Sequence, residues 1–369
     1  MNESLVSIVS RFGVSVSPAD IAPLGKGLIN DTFRVTVAAG PCDYVLQRIN
    51  HHIFTDVDCL QRNIETVTAH IRRKLEEVGT PDIDRRCLRF IPAVGSGKTY
   101  YFDGESYWRM MVYIPGSFTY ETVNPEYSYC AGLAFGNFQR MLSDLPVQLE
   151  ESIPDFHNME FRLQQFRDAL VADPVGRRAG VADLVDALLS RADYACTAER
   201  LHREGKLPKR ICHCDTKVNN MLFDADGNIL CVIDLDTVMP GFVFSDIGDF
   251  LRTAANTGLE DDRNLDNVSF DMEIFRSFIK GYLESASSFL TQVEIENIPY
   301  AAFRFSYMQA VRFLTDYING DIYYKINAPD HNLVRARAQF RLMECQERAI
   351  PEMARIVTGF THKHGEHLQ

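Results

Sequence analysis

The segment HCDTKVNNMLFD, residues 213–224, sets a histidine, an aspartate and an asparagine ahead of a short apolar run. His213, Asp215 and Asn220 are residue types that can share one task. A carboxylate can take a proton from a hydroxyl, and an amide oxygen beside it can hold a hard cation. His213 can fix such a loop by hydrogen bonding. A pattern this short also arises by chance, so the chemistry requires a second carboxylate elsewhere. The apolar strand ILCVIDLD, residues 229–236, supplies one: Asp234 leaves it fourteen residues after Asn220, with Asp236 as the runner-up ligand. Ten residues beyond Asp236, Asp246 lies in the helical pattern SDIGDFLR, where it can brace the loop from behind, cap the helix N-terminus, or do both.

The spacing H-x-D-x-x-x-x-N is that of the protein-kinase catalytic loop, in which the Asp accepts the substrate hydroxyl's proton and the Asn holds a metal ion. Phosphoryl transfer also needs a place for nucleotide phosphates. PLGKGLINDTF, residues 23–33, offers Gly25 and Gly27 in a G-x-G turn without a third glycine. The next strand, DYVLQRIN (43–50), lacks a phosphate-gripping lysine; Gln47 takes its place, with Arg48 beside it. Glu65 on the following helix is either the partner acid or one more charge on a solvated face. Residues after MMVY, which ends at Tyr113, would form the hinge whose backbone reads adenine. GSGKT (95–99) is a decoy. It ends like a P-loop, but Pro92 stands where the first glycine belongs, and Lys98 runs into a strand instead of a helix. It reads as a hairpin turn.

Periodicity gives the elements that must position these residues. The start of the chain reads as a short amphipathic helix carrying Leu5, Ile8, Val9 and Phe12. Residues 22–37 read as a glycine-containing turn before a strand alternating Phe33, Val35 and Val37, 43–50 as a second strand, and 59–79 as a helix ending at Gly79. RRCLRFIPAV and GKTYYFDGESYWRMMVYIPG, with Gly-Ser-Gly and Asp-Gly turn signals, predict a β-meander. After IPGS (114–117) helical spacing dominates, as where Val181, Leu184, Val185, Leu188 and Leu189 share a face. The expectation is an α+β chain, with a small β-rich N-terminal lobe over 1–114 and a larger, mostly helical C-terminal lobe over 115–369.

Composition narrows the partners. A net charge of -12 does not suit wrapping DNA or RNA, which needs clustered Lys and Arg. No apolar run approaches the roughly 20 residues of a membrane span. The 9 cysteines are odd in number and irregularly spaced, which fits free thiols in a reducing cytoplasm. Cys212 and Cys214 flank His213, but no second Cys/His pair follows at zinc spacing.

Taken together, HCDTKVNNMLF, VIDLDTVMPG and SDIGD resemble the aminoglycoside phosphotransferase and choline kinase superfamily. GLINDTF, LQRIN, RNIETV, AFGNFQ, DTKVNN, IDLDTVMPG, RFLTDYINGDIYY and HNLVRARAQ, in order from about residue 8 to about residue 350, are similar to its N-acetylhexosamine 1-kinase branch. The resemblance implies a protein-kinase-like two-lobe fold, ATP and Mg²⁺, and phosphorylation of the anomeric hydroxyl of N-acetylglucosamine or N-acetylgalactosamine. It implies Asp215 as the catalytic base, Asn220 and Asp234 as metal ligands, and Asp215, Arg312 and Tyr323 as the residues that hold the sugar. On residue type alone, Arg312 would pair with Asp316 four positions on, and Tyr323 would be core. The branch carries a His in the glycine turn where this chain has Leu28. Its Gln at the position of Gln47 leaves phosphate neutralisation to metal and backbone.

Kinases of choline, homoserine, methylthioribose or an aminoglycoside are the alternative readings, as is a non-catalytic nucleotide-binding protein. An aminoglycoside calls for an acidic pocket, and the late helices offer Arg304, Arg312, Arg335 and Arg337. The expected partners are a small sugar and ATP, with no nucleic acid and no membrane, in a monomer or weak homodimer.

Overall fold

A computed structural model describes residues 2–25, 29–38, 40–120 and 123–365. The chain divides into two compact units. The first comprises Met1–Phe118, Asp144–Pro154 and Leu222–Met239; the second comprises Thr119–Ser143, Asp155–Met221 and Pro240–Gln369.

The first unit is built on an antiparallel sheet. Its strands are β1 (Ile21–Pro23), β2 (Asp31–Val35), β3 (Tyr44–Ile49), β4 (Phe90–Ile91), β5 (Tyr100–Phe102) and β6 (Tyr107–Val112). They run in the order β1-β2-β3-β6-β4, with β5 also paired to β6. Helix α1 (Asn2–Ser10) buries Leu5, Ile8 and Val9, together with Phe12 beyond its end, against Val35, Leu46, Trp108 and Met110. The amphipathic spacing read from the sequence is therefore the face that packs on the sheet. Helix α2 (Val57–Glu77) starts at Asp56, whose carboxylate accepts the Cys59 N–H, and is followed by the short α3 (Ile83–Arg86). The GSGKT segment is a turn, closed by Ala93 N–H donating to Lys98 O at 2.8 Å. It does not join a hairpin: β4 and β5 each pair with β6 and not with one another. Lys98 Nζ meets the Asp58 carboxylate at 2.8 Å.

The second unit is mostly helical. Its helices are α4 (Pro125–Leu142), α5 (Met159–Ala172), α6 (Ala182–Leu189), α7 (Ala192–Ala195), α8 (Thr197–Arg203), α9 (Val243–Ala254), α10 (Met272–Ala286), α11 (Gln292–Glu296), α12 (Ile298–Ile318) and α13 (His331–Gly365). Between α8 and α9 the chain makes strands β7 (Arg210–Cys212), β8 (Met221–Phe223), β9 (Ile229–Val232) and β10 (Met239–Gly241), of which β9 and most of β8 fall in the 222–239 segment of the first unit. β8 pairs with β9, and β7 with β10. The α11–α12 break falls just before Pro299, which has no N–H to continue the preceding helix. Helix α5 has no counterpart in the sequence reading. Its buried Met159, Leu163, Phe166 and Leu170 keep helical spacing, and Asn158 caps it. No helix among the described residues is long and apolar enough to cross a membrane, and all nine cysteines are free thiols.

Candidate active site

The loop after β7 is fixed by one buried carboxylate. Asp246, 1% exposed in α9, accepts the backbone N–H of His213 at 2.9 Å and of Cys214 at 2.7 Å. Its third donor is Gln139 Nε2 at 2.6 Å, and Tyr282 Oη donates to Gln139 Oε1 at 2.5 Å. Burial raises the Asp246 pKa, while the nearby His213 and these donors pull it back down. Asp246 is not the cap of its helix, because α9 begins after Phe242 without a side-chain cap. Thr216 adds two ties, Oγ1 to Asp246 O at 2.6 Å and N–H to Asp249 Oδ2 at 3.1 Å. These bonds hold Cys214 at φ +63°, a left-handed backbone that a non-glycine residue adopts only when its surroundings impose it.

The sharp turn carries three of the expected site residues, His213, Asp215 and Asn220. The His213 ring is fully buried, edge-on to Phe135 and Phe138 of α4, and its Nδ1 accepts the Asp215 N–H at 3.3 Å. Asn220 Nδ2 donates to Asp215 O at 2.7 Å and to Asp215 Oδ2 at 3.1 Å. The Asn220 amide is thereby oriented, and its Oδ1 is left to accept or to ligate. Lys217 Nζ meets Asp215 Oδ1 at 2.8 Å. Burial works against the Lys217 charge, but Asp215 and Asp249 outweigh it and the pKa is raised. Burial pushes the Cys212 thiol well above its usual value. No cluster of three or more His, Cys, Asp or Glu able to hold a metal occurs among the described residues.

The remaining site expectations fall in the first unit. Gly25 has φ +71°, while Gly27 and Leu28 lie outside the described residues. Asp234 follows β9 at φ +59°, ψ +58°. Asp236, two residues on, pairs with Arg109 Nη1 at 2.5 Å and accepts Asn30 Nδ2 at 2.6 Å. Gln47 Nε2 donates to Thr32 Oγ1 at 3.1 Å, and Gln47 Oε1 accepts Arg109 Nε at 2.9 Å. Glu65 does not touch Gln47; it is exposed and accepts the Thr99 hydroxyl. Tyr113 follows β6, with its N–H donated to Asp43 O at 2.9 Å and its ring under the Arg34 guanidinium.

Arg312 and Tyr323 line one cavity of about 430 Å³ in the second unit, together with Arg162, Asp168, Asp316 and Tyr324; Asp215, the third expected sugar contact, is not among its lining residues. The ion pair between Arg312 and Asp316 is absent. Asp316 instead accepts the backbone N–H groups of Ile322, Tyr323 and Tyr324 at 3.0, 2.8 and 2.9 Å, and Asn332 Nδ2 at 2.8 Å. A carboxylate that gathers four donors shapes the turn and has little left for a guanidinium. Arg312 Nη1 reaches Gln309 at 3.3 Å, and its guanidinium lies over the Phe156 and Tyr324 rings. Tyr323 is not core, being 67% exposed. Burial and the adjacent Arg312 lower the Arg162 pKa to about 10.

A family model described as the APH phosphotransferase enzyme family matches residues 20–278, most of the chain. This chain belongs to the phosphotransferase enzyme family. Solved structures with the same kinase-like fold span nearly the whole of it. An aminoglycoside phosphotransferase from Alicyclobacillus acidocaldarius superimposes with a TM-score of 0.63 at 14% identity, covering 96% of each chain. A microcompartment-associated aminopropanol kinase gives 0.61 at 15% identity, over 95% of this chain and 98% of its own. A spectinomycin phosphotransferase in complex with ADP and spectinomycin gives 0.52 at 13% identity, over 97% and 98%.

Within this family member, the sequence reading passed over two charged residues that the structure ties to the expected site. Lys217 lies two positions after Asp215 in the same loop, a signal that was available. Arg109 had none: nothing local marks a basic residue in a strand as the partner of an acid 127 positions on.

Proposed function

We propose that this phosphotransferase is an ATP- and Mg²⁺-dependent kinase that phosphorylates the anomeric C1 hydroxyl of N-acetylhexosamines. The observation that carries the acceptor reading is the cavity that Arg312 and Tyr323 share, the two late residues that the N-acetylhexosamine 1-kinase branch uses for sugar. Its volume of about 430 Å³ suits a monosaccharide. Asp215 is the base: it takes the C1 hydroxyl proton as that oxygen bonds to the γ-phosphorus and the bond to the β–γ bridging oxygen breaks, releasing ADP. Asn220 and Asp234 each offer a hard oxygen donor of the type Mg²⁺ prefers, and each is assigned to the metal by the resemblance. When bound, Mg²⁺ neutralises phosphate charge. Lys217 holds Asp215 in place beside the acceptor, and Asp246 keeps the loop in its strained turn. Positioning and charge neutralisation do most of the work.

A second reading, an amino-alcohol or aminoglycoside acceptor, draws on the solved structures of similar fold and on Asp168 in the cavity wall. Two guanidiniums there, Arg162 and Arg312, repel a polycation. The test is ATP consumption with Mg²⁺ against N-acetylglucosamine, N-acetylgalactosamine, glucose, galactose, choline, homoserine and kanamycin. Turnover on the N-acetyl sugars with an acid-labile phosphate on C1 is the expected result. Turnover only on choline, homoserine or kanamycin overturns the acceptor assignment. No turnover on any acceptor, with Mg-ATP still bound, favours a non-catalytic nucleotide-binding protein.

A further inference from the structure

We infer that Arg109 is the positioning cation of the nucleotide-binding unit, standing in for the strand lysine that Gln47 replaces. This rests on the kinase reading above. Gln47 and Arg109 face each other directly in the β3–β6 ladder, so their side chains leave the same face of the sheet. Arg109 is 2% exposed. Its guanidinium reaches three elements at once: Nε donates to Gln47 on β3 at 2.9 Å, and Nη1 donates to Gln61 on α2 at 3.1 Å and pairs with Asp236 at 2.5 Å. A lysine gathers its three donors on one nitrogen and cannot place two donor atoms against Gln47 and the Gln61–Asp236 pair at once; the planar fork of arginine does, through Nε and Nη1.

Asp236 carries the reach further. Its other oxygen accepts Asn30 Nδ2 at 2.6 Å, and Asn30 Oδ1 accepts the Asn50 N–H at 2.9 Å. One buried pair thus links the exit of the glycine turn to the segment that bears Asp234. That segment needs holding, because Asp234 sits at φ +59°, a backbone that persists only where neighbours over-determine it. Several neighbours within this unit do so. Ser152 Oγ donates to Asp236 O at 3.1 Å, Asn63 Nδ2 donates to Val238 O at 3.2 Å, and Arg109 and Asn30 clasp the Asp236 side chain. A buried ion pair adds little net stability over an apolar replacement, so its place here is to fix geometry. Arg109 acts on metal and nucleotide through Asp236 and Gln47; it is a positioning residue and not a ligand.

The test is calorimetric binding of ADP with and without Mg²⁺, alongside thermal unfolding, for wild type, Arg109→Lys, and the double variant Arg109→Gln/Asp236→Asn. The double variant removes both charges together and so leaves no unpaired buried ion. Both variants are expected to lose at least tenfold in Mg²⁺-linked ADP affinity, with metal-free ADP binding changed far less. A purely structural role would weaken both equally or neither. Wild type that fails to bind Mg-ADP overturns the kinase reading and this inference with it. Wild type that binds, with either folded variant keeping its full Mg²⁺ response, overturns the inference alone. If the double variant does not fold, Arg109→Lys decides the matter by the same criterion.

Discussion

At the residue scale, three side chains divide the proposed reaction in ways that kinetics can separate. Asp215→Asn removes the base but keeps the shape and most of the loop's hydrogen bonds. Turnover should fall by about 10² or more with ADP affinity unchanged, and a variant that keeps its turnover removes Asp215 from the role. Arg312→Ala deletes a charged contact with no ion-pair partner among the described residues. The loss of about 1.5–3 kcal/mol should appear as a tenfold or greater rise in acceptor KM at nearly constant kcat. An unchanged KM would return Arg312 to a packing role. Lys217 has a raised pKa, so its contribution to stability is complete below the unfolded lysine value of about 10.4 and is lost as pH rises through the higher folded value. The stability difference between wild type and Lys217→Met, followed by denaturant titration, should therefore be flat from about pH 6 to 9 and shrink above about pH 10.5. A difference that shrinks already at neutral pH would contradict the pairing with Asp215.

At the element scale, the helices behind the loop that carries Asp215 depend on contacts that hydrophobic spacing does not reveal. Gly132 and Gly136 of α4 face α10, where Gly281 returns the contact. A Cβ on Gly132 would come 2.1 Å from Phe278 O, and one on Gly281 would come 2.1 Å from Tyr129 O. Backbone meets backbone there, so no side chain can move aside. Gly281→Ala should destabilise the protein by about 1–3 kcal/mol or more, read as a lower melting temperature. Wild-type stability in that variant would mean the helices pack less closely. The same pair positions function, since Gln139 on α4 and Tyr282 on α10 lead to Asp246 and so to the loop. The helical character of both segments was readable from their periodicity. Their close approach was not, because a glycine in a helical pattern gives no sign of what stands opposite.

At the scale of the whole molecule, the unit that contains the sheet is not one stretch of chain. Residues 144–154 and 222–239 belong to it. Among them is Asp236, which pairs with Arg109, and Glu150, whose C=O accepts Asn63 Nδ2 at 2.8 Å. A fragment of residues 1–118 would leave the guanidinium of Arg109 buried without its carboxylate, a loss of about 3–5 kcal/mol that a small sheet unit does not absorb. That fragment should show no cooperative thermal transition by circular dichroism. A cooperative melt would show that the later segments are dispensable to the unit.

The sequence by itself determined the chemistry-bearing types and their local spacing: His213, Asp215 and Asn220 in one loop, Asp234 after an apolar strand, a β-rich first third and helices after it. Such features are local, because side-chain periods of two and 3.6 residues and the reach of one loop are properties of neighbouring residues. It also carried the resemblance to the aminoglycoside phosphotransferase superfamily, which the match to the phosphotransferase enzyme family upholds. The tertiary structure alone decided where single polar residues found partners. Asp316 turned to three backbone N–H groups instead of Arg312, Tyr323 came to the surface of a cavity, Asp246 took the loop's N–H groups instead of capping its helix, and Arg109 met Asp236. Each choice follows from the cost of burying an unpaired polar group, which is settled by whichever donor or acceptor the fold brings within reach and leaves no periodic trace in the chain.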